Sequence, residues 1–317
     1  MRHIIRSSIA ASMLALGLSG GAQAQSFINV LTGGTSGVYY PLGVALSQIY
    51  GKAIPEAKST VQSTKASVEN LNLLQAGRGE IAFTLGDSLS EGWKGNAELG
   101  FKTPLKRLRA VAAIYPNYIQ IVASAESGVK TLADLKGKRV SVGSPRSGTE
   151  VNARAIFKAA GLSYSDFSKT EYLPFGQSVE LIKNRQLDAT LQSAGLGVAS
   201  IRDLATSVNI VVVTIPPEVI AKVGDAAYQA ATIPANTYKG QTAPVPTAAI
   251  ANFLVTHQGV SDEVAYKMTK SLFDNLGQMS SAHSAAKAIN LQTAAQGSPI
   301  PLHPGAERFY REKGALK

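Results

Sequence analysis

The sequence predicts an α/β protein of two similar lobes, with mostly parallel strands in each. Two observations carry this expectation. Short apolar runs alternate with helical patterns along most of the chain, as strand–helix–strand layers require. Two segments also echo each other 111 residues apart: Ser36-Gly37 with Ser147-Gly148, and Ser67-Val68-Glu69 with Ser178-Val179-Glu180. Each Ser-Gly follows a strand pattern and precedes a helix. Each Ser-Val-Glu helix runs into another strand. Periods of roughly 20–50 residues, the mark of a solenoid, are absent.

Taken in order, residues 27–31 read as a strand and 40–50 as a helix, with Pro41 tolerated in its first turn. Residues 68–75 read as a helix and 80–85 as a strand; 111–114 and 118–123 read as two further strands. A strand at 139–142, a helix at 150–160 stopped by Gly161, a helix at 179–184 and a strand at 187–191 follow. Residues 209–214 and 248–256 read as strands, and 263–276 and 283–290 as helices.

The ends and the composition bound the class. Arg2 and Arg6 flank the start of a short apolar stretch at 9–18, and Ala22-Gln23-Ala24 fits the small-x-small rule. A secretory signal peptide cleaved after Ala24 is expected, because the stretch falls short of the ~20 residues a membrane span needs. Export to the periplasm follows from that reading. The sequence has no cysteine, which excludes a disulfide framework, a thiolate metal site and a cysteine nucleophile. It also leaves no acceptor for a lipid anchor. The formal charge is +10, and loss of Arg2 and Arg6 lowers it by two to +8. The basic residues are scattered apart from a cluster at 102–109, so nucleic-acid binding is not expected. A mild positive field favours anionic ligands instead.

Two loops carry the candidate chemistry. Thr32-Gly33-Gly34-Thr35-Ser36-Gly37 joins the first strand to the first helix. Its glycines permit close backbone approach. The helix start adds unpaired N–H groups, and Thr35 and Ser36 add hydroxyls, a combination suited to a carboxylate or phosphate. Gly143-Ser144-Pro145-Arg146-Ser147-Gly148-Thr149 has the same place in the other half, where Arg146 offers a bidentate fork. A small ligand gripped between the lobes meets both loops, so Ser147, Gly148 and Thr149 are candidates. Further candidates are Asp87 at a strand end, Ser63 and Thr64 after a short strand at 60–62, and Gln192 with Ser193 after the strand at 187–191. Gln177 precedes the Ser178 helix, and Tyr39 opens the first helix as a wall of the cleft. Asp87 decides ligand class. Facing the cleft it favours an amino acid; facing away it favours an oxo acid or a dicarboxylate held with Arg146.

Enzyme signatures are weak. His257, His283 and His303 lack the spacing for a metal on one helix face. No phosphate-binding P-loop and no G-x-G-x-x-G occurs. Ser284-Ala285-Ala286-Lys287 matches S-x-x-K but sits inside a helical pattern, and Gly34-Thr35-Ser36-Gly37 is not a nucleophile elbow. A serine hydrolase remains an alternative, as does a binding module feeding a membrane sensor kinase. No cofactor and no metal are expected.

The run from Thr32 to Gly43, TGGTSGVYYPLG, resembles the opening motif of the TAXI family, the TRAP-associated extracytoplasmic solute receptors. Similar segments follow: DLKGKRVSVG from Asp134, Ser147-Gly148-Thr149, Leu187-Asp188-Ala189, and IPLHPGA from Ile300, with Tyr310 and Glu312 beyond. The likeness spans nearly all of the chain after Ala24. It implies a type II periplasmic binding protein fold with a strand hinge. Residues 25–120 plus 246–317 then form one lobe and 121–245 the other. It also implies delivery of a ligand such as glutamate, glutamine or a 2-oxo dicarboxylate to TRAP transporter membrane subunits, by a monomer. Two features depart from the family pattern. Arg146 stands where a small residue is more common, and Ala194-Gly195-Leu196-Gly197 lacks a proline after Gly195.

Overall fold

A computed structural model describes residues 26–317. The expected signal peptide and its cleavage point lie outside the described residues. The chain opens with β1 (Ser26–Leu31), α1 (Tyr39–Ala53), β2 (Ala57–Gln62), α2 (Ser67–Gln75) and β3 (Ile81–Leu85). The three strands are parallel in the order β2-β1-β3. All five residues of β3 are buried, whereas β2 beyond Ala57 alternates between exposed and half-buried positions, as an edge strand does. Next come α3 (Gly86–Lys94) and the long β4 (Leu108–Ser124). The pattern then repeats as β5 (Arg139–Ser141), α4 (Gly148–Ala159), β6 (Lys169–Glu171), α5 (Phe175–Lys183) and β7 (Ala189–Ala194), parallel in the order β6-β5-β7. The echo in the sequence is thus a duplicated βαβαβ unit.

The chain continues through α6 (Ala199–Ser207), β8 (Ile210–Val213), α7 (Pro217–Val223) and β9 (Gln229–Ile233). It returns along β10 (Val245–His257) and ends in α8 (Asp262–Asp274), α9 (Leu276–Ala282), α10 (Leu291–Ala294) and α11 (Pro304–Glu312). One sheet path runs β2-β1-β3-β10-β4-β7-β5-β6, with β8 on β4 and β9 on β10. The antiparallel pair β4 and β10 joins the two units. The first part of β4 lies on β10, and its last residues, Tyr118 to Ala123, pair with β7. Asn252 to Val255 of β10 pairs with β3, and Val245 to Ala249 pairs with β9. These crossing strands form the hinge of a two-lobed α/β fold.

Pro116 explains why the sequence reads β4 as two strands. It lies within one continuous strand, opposite Ala251, where the β10 register shifts between Ala251 and Phe253. A proline lacks the ladder N–H and is tolerated at such a bulge.

The C-terminal motif also has a physical reading. The His303 ring accepts from Gly305 N at 3.2 Å and caps α11, and Pro304 occupies its first turn. A Cβ on Gly305 would lie 2.0 Å from the Asp262 carbonyl oxygen, so α11 approaches α8 this closely only with glycine there. Phe309 then stacks on Phe273 with ring centroids 5.6 Å apart. The helix expected over 283–290 is a short 3-10 turn, Ser284–Ala288, and the one expected over 263–276 breaks at Asn275 between α8 and α9.

Candidate functional site

In both units the helices start at the carboxyl ends of the strands, where open sheets receive ligands. The starts of α1, α2, α4 and α5 converge on one cleft of ≈ 190 Å³ between the lobes. They meet in two pairs. A Cβ on Gly148, the first residue of α4, would lie 2.6 Å from both Leu85 Cδ1 and Ser67 Oγ, so α4 begins against the start of α2. A Cβ on Gly176 would lie 3.4 Å from Ser36 Oγ, so α5 begins against the loop before α1. Glu69 N also donates to Arg146 O at 3.1 Å across the lobes. The arrangement is closed.

Of the residues the sequence singles out, Ser36, Tyr39, Ser63, Thr64, Ser147, Gly148 and Thr149 line the cleft. Ser147 caps α4, its Oγ accepting from Glu150 N at 3.1 Å. Ser63 Oγ donates to Gly33 O at 2.9 Å, and Thr64 Oγ1 donates to Asn70 Oδ1 at 2.6 Å. Those two hydroxyl protons therefore knit the loop. The Tyr39 hydroxyl donates to Asn252 Oδ1, and burial holds its pKa far above the ordinary range. Thr35 and Gln177 line an adjoining outer groove, beside Glu180.

Three expectations change. Asp87 does not line the cleft. It is buried in the first turn of α3, where its Oδ2 accepts from Asn152 Nδ2 at 2.6 Å and the Tyr228 hydroxyl at 2.8 Å, and its Oδ1 from Ser88 N at 2.6 Å. Desolvation pushes its pKa up from 3.8 to about 6, against these hydrogen bonds. Arg146 is exposed with a left-handed φ of 62°, and it is its carbonyl, not its guanidinium, that reaches the other lobe. Gln192 is buried in the second lobe, its Oε1 accepting from Ser200 Oγ at 2.6 Å. Because β7 runs on to Ala194, strand alternation sends Ser193 to the cleft and Gln192 to the opposite face.

Lys65, Asn117 and Phe175 are among the lining residues that escape sequence reasoning. Lys65 is the cleft's one charged side chain among the described residues, and no Asp or Glu lines it. Asn117 sits on β4 at the cleft, donating to Ser193 O at 2.9 Å while its Oδ1 accepts from Asn252 Nδ2 at 2.8 Å. The Ser193 hydroxyl is buried and has no partner. Each of the three described histidines uses Nδ1 to accept a backbone N–H two residues on: His257 from Gly259, His283 from Ala285, His303 from Gly305. None lines the cleft.

The NMT1-like family model matches residues 30–314, and the chain belongs to that family. Solved structures share its fold at low identity. A protein described as a periplasmic transporter superposes with a TM-score of 0.57 at 13% identity, covering 92% of this chain and 94% of its own. A putative L-cystine ABC transporter protein from Listeria monocytogenes gives 0.52 at 14%, covering 84% of this chain and 98% of its own. The binding protein of an ABC phosphonate transporter from Pseudomonas aeruginosa gives 0.52 at 12%, covering 84% and 80%. The fold is that of the type II periplasmic binding proteins.

Proposed function

We propose that this chain is an exported periplasmic receptor that captures a small carboxylate-bearing solute and delivers it to a membrane transporter. One observation carries the reading: helix starts from both lobes ring one cleft that, among the described residues, no acidic side chain lines. Helix N-termini favour anions. The lobes are taken as residues 25–120 plus 246–317 and residues 121–245, a division supported by the crossing of β4 and β10. Ser36 on one lobe and Ser147 on the other contact the ligand, and its greater affinity for the closed form drives closure.

Export rests on the signal-peptide pattern. The transporter partner rests on likeness. The motifs point to TRAP membrane subunits, while two fold relatives are described as parts of ABC systems. Capture without chemistry is favoured because no His, Asp or Glu stands among the lining residues to activate a serine as general base. The receptor acts as a monomer without a cofactor.

A thermal-shift screen of amino acids, monocarboxylates and dicarboxylates tests the reading. A cognate ligand raises Tm with its concentration over Kd. Ester or amide turnover lost in Ser36→Ala would favour a hydrolase instead.

A further inference from the structure

The lining of the cleft is specific about charge. Lys65 precedes α2, and among the described residues its ammonium has no carboxylate within ion-pair distance. The α2 start beside it lies against the α4 start, so one lysine and two helix N-termini share one corner of the cleft. The other pair of helix starts brings Val38, Tyr39, Pro174 and Phe175 instead, with no charged side chain. Ser193, only 5% exposed, also lines the cleft, with its hydroxyl buried and unpartnered.

Resting on the capture reading above, we infer that the ligand is a singly charged organic anion with an uncharged, largely apolar body. Its anionic group lies between Lys65 and the α4 start. Its body packs on Tyr39 and Phe175. An amino acid is disfavoured because its ammonium needs an anionic partner, and burying an unpaired charge is costly. Asp87, the acid the sequence singles out, is committed to Asn152 and Tyr228, and Glu69, whose carboxylate accepts from the Lys65 backbone N–H at 2.6 Å, lies outside the lining. A dicarboxylate is disfavoured for the mirror reason: Arg146 is not part of the lining and no second cation is. The volume of ≈ 190 Å³ suits a molecule somewhat larger than benzene, which fills an engineered cavity of about 150 Å³.

The test is calorimetric titration with three matched sets: 2-oxo and aryl or branched monocarboxylates, the corresponding amino acids, and C4–C6 dicarboxylates. Alkyl sulfonates and phosphonates of the same body separate carboxylate from other anionic heads. A monoanion is expected to bind at least about tenfold tighter than its amino-acid or dicarboxylate counterpart. Lys65→Met should weaken it about tenfold or more, and Lys65→Arg should retain most of the affinity. Lys65 is exposed, so these variants should fold. Preferred binding of an amino acid or a dicarboxylate, or an unchanged affinity in Lys65→Met, overturns this inference and leaves the capture reading standing. Binding by none of the sets overturns the capture reading itself, and the inference with it.

Discussion

The two lobes meet through two polar regions built on opposite plans. Around Asp87, the carboxylate is buried and surrounded by donors from both the α3 side and the second lobe. In the cleft, hydroxyls and helix starts converge; the Ser193 hydroxyl is buried without a partner, and among the described residues the Lys65 ammonium makes no ion pair, although Glu69 accepts from its backbone N–H. Both oxygens of the Asp87 carboxylate are engaged, although Asn152 Oδ1 and Ser88 Oγ beside it are buried without a partner. Hydrogen bonds to a buried carboxylate rigidify what they join. The first region ties the α3 start to Asn152 and Tyr228, and the second is the one we propose as the ligand site.

The comparison breaks most severely at Asp87. Asp87→Ala leaves the Tyr228 hydroxyl proton and one Asn152 amide proton without their acceptor, while Asn152 Nδ2 keeps its 3.0 Å bond to the Tyr228 hydroxyl oxygen. It is expected to cost roughly 2–4 kcal/mol of stability, read by denaturant unfolding. The pH dependence of the same group is of similar size. The unfolded chain releases this proton near 3.8 and the folded chain near about 6. The folded state thus holds the extra proton between those values. Its stabilising contribution is full below 3.8, is lost as pH rises through about 6, and amounts to about 3 kcal/mol. Tyr228 and Asn152 face it, and Asp225 adds repulsion. Asp87→Asn should flatten Tm over that window in a pH series.

On the cleft side, Gly148→Ala places a methyl 2.6 Å from Leu85 and Ser67 of the other lobe. It should weaken ligand binding about tenfold by opposing closure, while leaving the unfolding midpoint of the free protein nearly unchanged. The smallest effect is expected at Ala66, whose φ of 73° and ψ of −144° belong to a region that only glycine enters freely. Ala66→Gly should relieve strain and stabilise by about 1 kcal/mol, read by urea unfolding.

Much of this architecture is legible in the sequence, and the reasons for the rest are local. The Ser-Gly echo marks two helix starts because glycine and hydroxyl residues have a mechanical purpose at such turns. Ser147 fits that reading by capping α4. Helix α3 escapes because Gly86 begins it directly at the end of β3, with no polar linker to announce it. Missing that helix leaves Asp87 looking like a strand-end residue open to the cleft. Gln192 is misplaced by a strand end set too early, since one residue of shift reverses the face. Lys65 is invisible because nothing in the polar run around it distinguishes it from a solvated surface lysine. The role we propose for it depends on the fold, which places no Asp or Glu among the described residues lining the cleft.

Capture by hydroxyls from both lobes is tested most directly by calorimetry on the Ser36→Ala, Ser147→Ala double variant with the ligand the screen identifies. The account predicts affinity at least about tenfold weaker than the parent chain, beyond the loss of about 1 kcal/mol of stability expected from removing the α4 cap. Unchanged affinity in a folded double variant would contradict it.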